Sequence, residues 1–100
     1  QELVKAMIKS FKDIRSKARI IRDASYEAWT DNKITRNAAL KNDEIVDKAL
    51  RTYMENKKQI RNKINTEQIK TIIKTNEAAL QTLNNIENTI KTLGGTKPLL

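Results

Sequence analysis

Residues 1–93 contain neither glycine nor proline, and this absence leaves the chain very few folds to adopt. Both glycines and the single proline come later, at Gly94, Gly95 and Pro98. Sheet proteins rely on these residues at their tight turns. Inside a helix, by contrast, glycine costs about 1 kcal/mol and proline about 3 kcal/mol relative to alanine. The sequence therefore predicts an all-α protein.

Apolar residues recur in steps of three and four along three segments, which is the coiled-coil-like pattern of helices that bury one face. The first segment runs from about Glu2 to Trp29, the second from about Lys33 to Ile64 and the third from Thr66 to Leu93. The positions predicted to be buried are Phe11, Ile14, Ile21, Leu50, Tyr53, Ile60, Ile72, Leu83, Ile86 and Ile90.

Polar residues at the two junctions predict where the second and third helices begin. Thr30, Asp31 and Asn32 each carry an oxygen that can accept an amide hydrogen at the start of helix two. Asn65 and Gln68 have the spacing of a capping box, in which each side chain bonds the other residue's backbone N–H.

The early part of helix two departs from the pattern of its later part. Ile34 and Ile45 lie on a face turned away from the later stripe, and Leu40 lies on neither face. Residues 42–44 read Asn-Asp-Glu, which is typical of a helix start because acidic groups favour the positive end of the dipole. We therefore expect a kink or break near residues 41–43, which would give a fourth short helix.

Three long helices joined by short links fold back on one another. We therefore predict an elongated antiparallel three-helix bundle over residues 1–93, followed by a tail or linker over 94–100. The chain begins at Gln1 rather than methionine, so we expect an excised domain or a processed product. The abundance of Lys, Asn and Ile, whose codons are AT-rich, predicts a low-GC organism.

The composition argues against catalysis and against a bound metal or cofactor. The chain has no cysteine and no histidine, which removes thiolate nucleophiles, imidazole bases and the usual zinc ligands. Its acidic residues fall mostly on exposed faces beside lysine or arginine. We therefore predict that the protein is not an enzyme and needs no cofactor.

The net charge of +8 is the strongest functional signal in the sequence. Almost all of this excess lies in residues 1–64, where cations flank the predicted core faces of helices one and two. Arginine beside aromatic side chains can bind nucleic acid by charge and stacking. Charged residues also flank the core of every amphipathic helix, and an AT-rich genome inflates lysine. The candidate binding residues are Lys12, Arg15, Arg19, Arg22, Tyr26, Arg51, Lys58 and Arg61.

Asn76 occupies a position in helix three where the seven-residue pattern requires an apolar side chain. A buried asparagine at such a position can fix the register or the oligomeric state. The alternatives are that Asn76 faces an open edge of the bundle, or bonds to a neighbouring side chain or water. If Asn76 fixes the oligomeric state, it is an oligomerisation residue.

These features together predict a non-catalytic helical module for protein–protein interaction or assembly. Ile20, with Ala24 on the same outer side, is a candidate contact with another chain. The alternative function is nucleic-acid binding through the basic side of helices one and two. Attachment to an anionic membrane surface is a third hypothesis, and a homo-oligomer is compatible with each.

Overall fold

The computed structural model describes residues 2–93 and contains three helices. These are α1 (Glu2–Thr30), α2 (Arg36–Gln59) and α3 (Thr66–Leu93). No strand occurs within this range, so the predicted all-α three-helix bundle is confirmed. The predicted tail at 94–100 and a helix stop at Gly94 lie outside the described residues.

The bundle is elongated because each helix spans most of its length. Its extents are 48 × 22 × 15 Å, and the 29 residues of α1 account for about 43 Å of the long axis at 1.5 Å per residue. Cross-helix contacts fix the directions. Phe11 and Arg22 of α1 meet Tyr53 and Asp47 of α2 in reverse order, so these two helices are antiparallel.

Helix α2 begins later than the sequence predicted, because a different residue caps it. Thr35 accepts the amide hydrogen of Ala38 on its hydroxyl at 3.1 Å. The predicted caps at Thr30, Asp31 and Asn32 are wrong: Thr30 ends α1, and Asn32 lies in the connecting turn with a positive φ of 62°.

The fourth short helix predicted from a break near residues 41–43 does not form. Helix α2 runs without interruption from Arg36 to Gln59. Of its early apolar residues, Ala38, Ala39 and Ile45 pack against the core from partly buried positions, whereas Leu40 is exposed. The helix ends at Gln59 rather than Ile64.

The start of α3 confirms the predicted capping box. The Asn65 side chain accepts from the amide of Gln68 at 2.9 Å, and the Gln68 side chain accepts from the amide of Asn65 at 2.8 Å. Two backbone donors at the helix start are thereby satisfied within a single turn.

The core follows the predicted stripes on α1 and α3. Seven of the ten predicted core residues are buried, and Leu50, Tyr53 and Ile60 are partly buried. All three exceptions lie on α2 or at its C-cap, where the pattern also missed the buried Ala49 and Asn56. Lys57 stays exposed, with its ammonium 5.5 Å from the centre of the Phe11 ring.

A layer of polar side chains divides this core into two apolar clusters. Asn76, fully buried, donates to the Ser10 hydroxyl at 2.9 Å and accepts from the Asn56 amide at 2.8 Å. Asn56 also donates to Thr75 at 2.8 Å, and Ser10 donates to the carbonyl of Met7 at 2.6 Å. The layer thus links all three helices. Met7, Phe11, Ile69 and Ile72 form the cluster on one side, and Ile14, Ile21, Val46, Leu83, Ile86 and Ile90 lie in the larger one.

The substitution Leu83→Ala tests the larger cluster. Leu83 is fully buried, so we expect its truncation to lower the free energy of unfolding by about 2–5 kcal/mol, through reduced burial and the cavity left behind. Urea denaturation followed by circular dichroism measures the change. A decrease below about 1 kcal/mol, the range of surface substitutions, would contradict this packing of α3.

A double-mutant cycle on Asn56→Ala and Asn76→Ala tests the polar layer. Each single change leaves a buried partner with fewer hydrogen bonds, whereas the double change removes both ends of the Asn56–Asn76 bond. We expect the two losses of stability to be non-additive by about 0.5–3 kcal/mol. Additive losses, measured in the same denaturation assay, would mean that the two amides do not interact.

Candidate binding surface

Three of the candidate arginines lie together on one side of the bundle, along the groove between α1 and α2. Arg15, Arg19 and Arg22 line a shallow depression that also contains Asp23 and whose opposite wall is Leu50 of α2. They are four and three residues apart on α1, so they follow one line along the helix. The first two are in no ion pair within residues 2–93.

Arg22 differs from the other two because α2 already holds its guanidinium. It is hydrogen-bonded to the carboxylate of Asp47 and lies 3.9 Å from that of Asp43. The sequence placed Asp43 at a helix start, but both acids lie inside α2. All three side chains are about half exposed, so we expect the bridge to contribute at most about 1 kcal/mol. Its larger consequence is that Arg22 offers little net positive charge to a ligand.

Two candidate cations of α2 belong to the same side as Asp47. Arg51 and Lys58 follow Asp47 by 4 and 11 residues, which places them within about 40° of it around the helix axis. Met54 lies between them and is 65% exposed. Because Asp47 contacts Arg22, the structure brings the basic flanks of both helices to one groove, as the sequence alone did not establish.

The remaining two candidate cations are placed differently: Lys12 continues the line on α1, within about 20° of Arg19 around the helix axis, and Arg61 lies beyond the end of α2. Lys12 lines a neighbouring depression on the outer side of α1 with Arg15, Arg19 and Ile20. Arg61 was predicted to continue the helical flank, but it follows the C-cap Ile60 and lies in a turn. Helical spacing therefore does not place Arg61 on the same face as Arg51 and Lys58.

Tyr26 and Trp29 form an exposed aromatic pair at the far end of the same groove. Their ring centres are 5.8 Å apart with planes inclined at 72°, an edge-to-face contact. Tyr26 is 63% exposed, Trp29 38% and Leu40 of α2 46%. We call these three side chains the aromatic patch. They surround a concave pocket of about 230 Å³, which Ser25, Ala39, Arg22, Arg36 and Asp43 complete.

The turn between α1 and α2 explains why Trp29 stays at the surface. The amides of Lys33 and Ile34 bond back to the carbonyl of Ala28 at 2.7 and 3.3 Å. This folds Ile34 inward, where it is buried against the core, and leaves Trp29 outside the turn. A second depression then opens on the other side of Trp29, lined by Lys33, Ile34, Thr35 and Arg36 among others.

Two cations flank the aromatic patch. Lys33 and Arg36 are exposed, and neither is in an ion pair with any of the residues described. Helix α2 starts at Arg36 with no acidic residue in its first turn, so its dipole adds the same sign. Asp43, the acid that lines the pocket, shares the single Arg22 guanidinium with Asp47.

The two remaining sequence hypotheses have different outcomes. Asn76 bonds to neighbouring side chains of its own chain, so the proposal that it faces an open edge is wrong. Its role in oligomerisation stays a prediction. Ile20 is 46% exposed, but Ala24 is buried, so the predicted outward pair of the two residues does not form.

The aromatic patch is the feature that the sequence reasoning largely missed. Tyr26 is among the candidate binding residues of the sequence, but Trp29 is not, and Leu40 fits neither helix face. The sequence did contain a signal for the patch: Leu40 is a large apolar residue that fits neither core stripe of α2, and such a residue is expected at the surface.

Other kinds of site receive no support from the described part of the chain. No group of three or more potential metal-ligating side chains occurs within residues 2–93. No helix in the same range combines the length and the apolar character that a membrane span requires. Comparison of the chain with protein-family models, with curated proteins and with solved structures gave no significant match.

Proposed function

We propose that this protein is a non-catalytic binding module that docks another protein on the α1–α2 side of the bundle. The observation that carries the proposal is the aromatic patch, where Tyr26, Trp29 and Leu40 remain exposed around a concave pocket. Single exposed apolar residues are ordinary on a protein surface. A contiguous cluster around a concavity is typical of an interaction site.

The composition of this surface favours a protein partner. Tryptophan, tyrosine and arginine are the residues most enriched among those that dominate binding energy at protein interfaces. Here Trp29 and Tyr26 lie beside Arg36 on one face. Such a surface gives a partner a desolvated centre with a polar rim.

The placement of the carboxylates supports a role without catalysis. Acid–base chemistry requires a titratable group held in a pocket with a tuned proton affinity. Asp43 and Asp47 balance Arg22, while Glu87 bonds to Lys17 at 2.8 Å and Asp13 to Lys9 at 2.8 Å. Four of the twelve acidic residues thus have a structural partner.

The substitution Trp29→Ala tests the docking proposal. The wild-type chain would be immobilised and used to capture partners from its native host, and a captured protein would then be purified and titrated. We expect Trp29→Ala to weaken its binding by about 2 kcal/mol or more, or at least 30-fold, as for a central interface residue. Unfolding measurements would show that the fold survives.

Ile20→Ala is the matched control, since Ile20 is a large exposed apolar residue that lies on the outer side of α1 and outside the patch. We expect it to change the affinity by less than threefold. Equal effects of the two substitutions, or none from Trp29→Ala, would show that docking does not use the aromatic patch.

Binding of a polyanion is the second candidate function, and one observation favours it. Arg15 and Arg19 share the α1–α2 groove without a carboxylate partner among the described residues, and Arg51 and Lys58 lie on the facing side of α2. Cations in a line can follow the phosphates of a nucleic acid. Anionic lipid headgroups offer the same charge.

The double charge reversal Arg15→Glu with Arg19→Glu tests this second function. Arg22 is left unchanged, because a glutamate there would face Asp43 and Asp47 and weaken the fold. If nucleic acid binds, we expect the double variant to abolish binding of labelled oligonucleotides. The slope of log affinity against log salt should fall by about one for each phosphate that the variant no longer binds.

Lys70→Glu with Lys74→Glu is the control, because it changes the net charge equally on exposed positions of α3. Equal decreases in affinity from the two double variants would indicate a response to net charge alone. No wild-type binding near physiological salt, to oligonucleotides or to anionic vesicles, would eliminate the polyanion function.

A further inference from the structure

We propose that the pocket of the aromatic patch binds an acidic–apolar segment of the partner protein. One large apolar side chain of that segment enters between Trp29 and Leu40, and a neighbouring carboxylate pairs with Arg36 and Lys33. This inference rests on the proposed docking function and names the chemistry of the partner that the docking site recognises.

The dimensions of the pocket select a single side chain. Its volume of about 230 Å³ is below the range of about 300–1,000 Å³ typical of small-molecule sites. The rings of Tyr26 and Trp29 stand edge to face, so together with Leu40 and Ala39 they form walls rather than a flat platform. An aliphatic or aromatic side chain inserted there gains burial against several walls at once.

The charges beside the pocket select an acidic flank. Arg22, which also lines it, is held by Asp47 and Asp43. Arg36 lines both this pocket and the depression on the other side of Trp29, where Lys33 joins it. These two cations are therefore the ones that a carboxylate can neutralise without displacing a partner described in residues 2–93.

The same geometry favours a peptide over a nucleic acid at this end of the groove. Bases bind proteins by stacking on exposed ring faces along a track of cations. The arginines of that track, Arg15 and Arg19, lie closer to the start of α1 and outside the lining of this pocket. Apolar walls close to two cations match a segment in which apolar and acidic residues adjoin.

Trp29 provides the readout, since it is the only tryptophan of the chain. Three blocked seven-residue peptides serve as probes: a central leucine flanked by glutamates, a central serine flanked by glutamates, and a central leucine flanked by lysines. Each would be titrated into the full chain while the Trp29 emission is followed. We expect the first peptide to shift the emission to the blue, with saturation at about 0.1–1 mM, and to bind at least tenfold more tightly than the other two.

Arg36→Glu tests the charged part of the site, and the fold should survive because an acidic residue suits a helix start. We expect at least tenfold weaker binding of the glutamate–leucine peptide and tighter binding of the lysine–leucine peptide. Leu40→Ala should weaken both leucine peptides by at least threefold. Lys70→Glu, the matched charge reversal on α3, should leave all affinities within twofold.

Three results would overturn the inference. The first is that the Trp29 emission shows no saturable change up to about 5 mM peptide, a concentration at which a specific site should be occupied. The second is equal binding of the three peptides. The third is an effect of Lys70→Glu as large as that of Arg36→Glu. A single-stranded oligonucleotide that shifts the Trp29 emission with the same dependence on Arg36 would reassign the site to polyanions.

The failure of this inference is distinguishable from the failure of the docking proposal. If a captured partner loses affinity with Trp29→Ala while the acidic peptide shows no preference, the patch docks a protein of different chemistry. If Trp29→Ala leaves the captured partner's affinity unchanged, the docking proposal itself is wrong.

Discussion

The hydrogen-bonded layer of Ser10, Asn56 and Asn76 is the constraint on which the relative placement of the three helices depends. Apolar stripes by themselves specify the alignment of helices only weakly, because hydrophobic contacts are non-directional. A buried amide specifies it strongly, because losing its partners leaves unsatisfied donors at about 1–3 kcal/mol each. With α1, α2 and α3 each contributing to the layer, one alignment satisfies every buried polar side-chain atom in residues 2–93.

That alignment determines the chemistry of the α1–α2 side. With the register fixed, Phe11 meets Tyr53 edge to face at 5.4 Å, and Arg22 reaches Asp47. The ion pair then divides this side into two parts. Towards the middle, Arg15 and Arg19 supply positive charge; towards the end, Tyr26, Trp29 and Leu40 form an apolar pocket beside Arg36. A single surface thus carries both an electrostatic and an apolar binding feature.

The exposed aromatic patch is a consequence of the turn as much as of the helices. A five-residue link must reverse the chain and place Ile34 in the core, and it does so by bonding back to Ala28. Trp29 lies one residue beyond Ala28, the last buried residue of α1, and is 38% exposed. The chain keeps its largest side chain partly exposed at the end of α1, next to Arg36 and Lys33, where a partner can bury it together with Tyr26 and Leu40.

The sequence by itself determined the fold class, the buried faces of α1 and α3 and the Asn65–Gln68 cap, because these follow from neighbours along one helix. It misjudged the start and continuity of α2 and part of its core face. Which atoms cap a helix depends on where the preceding turn places them, and Ala38, Ala39 and Ile45 find the core only once α1 and α3 lie beside them. Tertiary structure alone decided that Asn76 bonds Ser10 and Asn56, that Asp47 holds Arg22, and that Leu40 joins Trp29. Each of these contacts joins residues on different helices, and no local pattern encodes such a pairing.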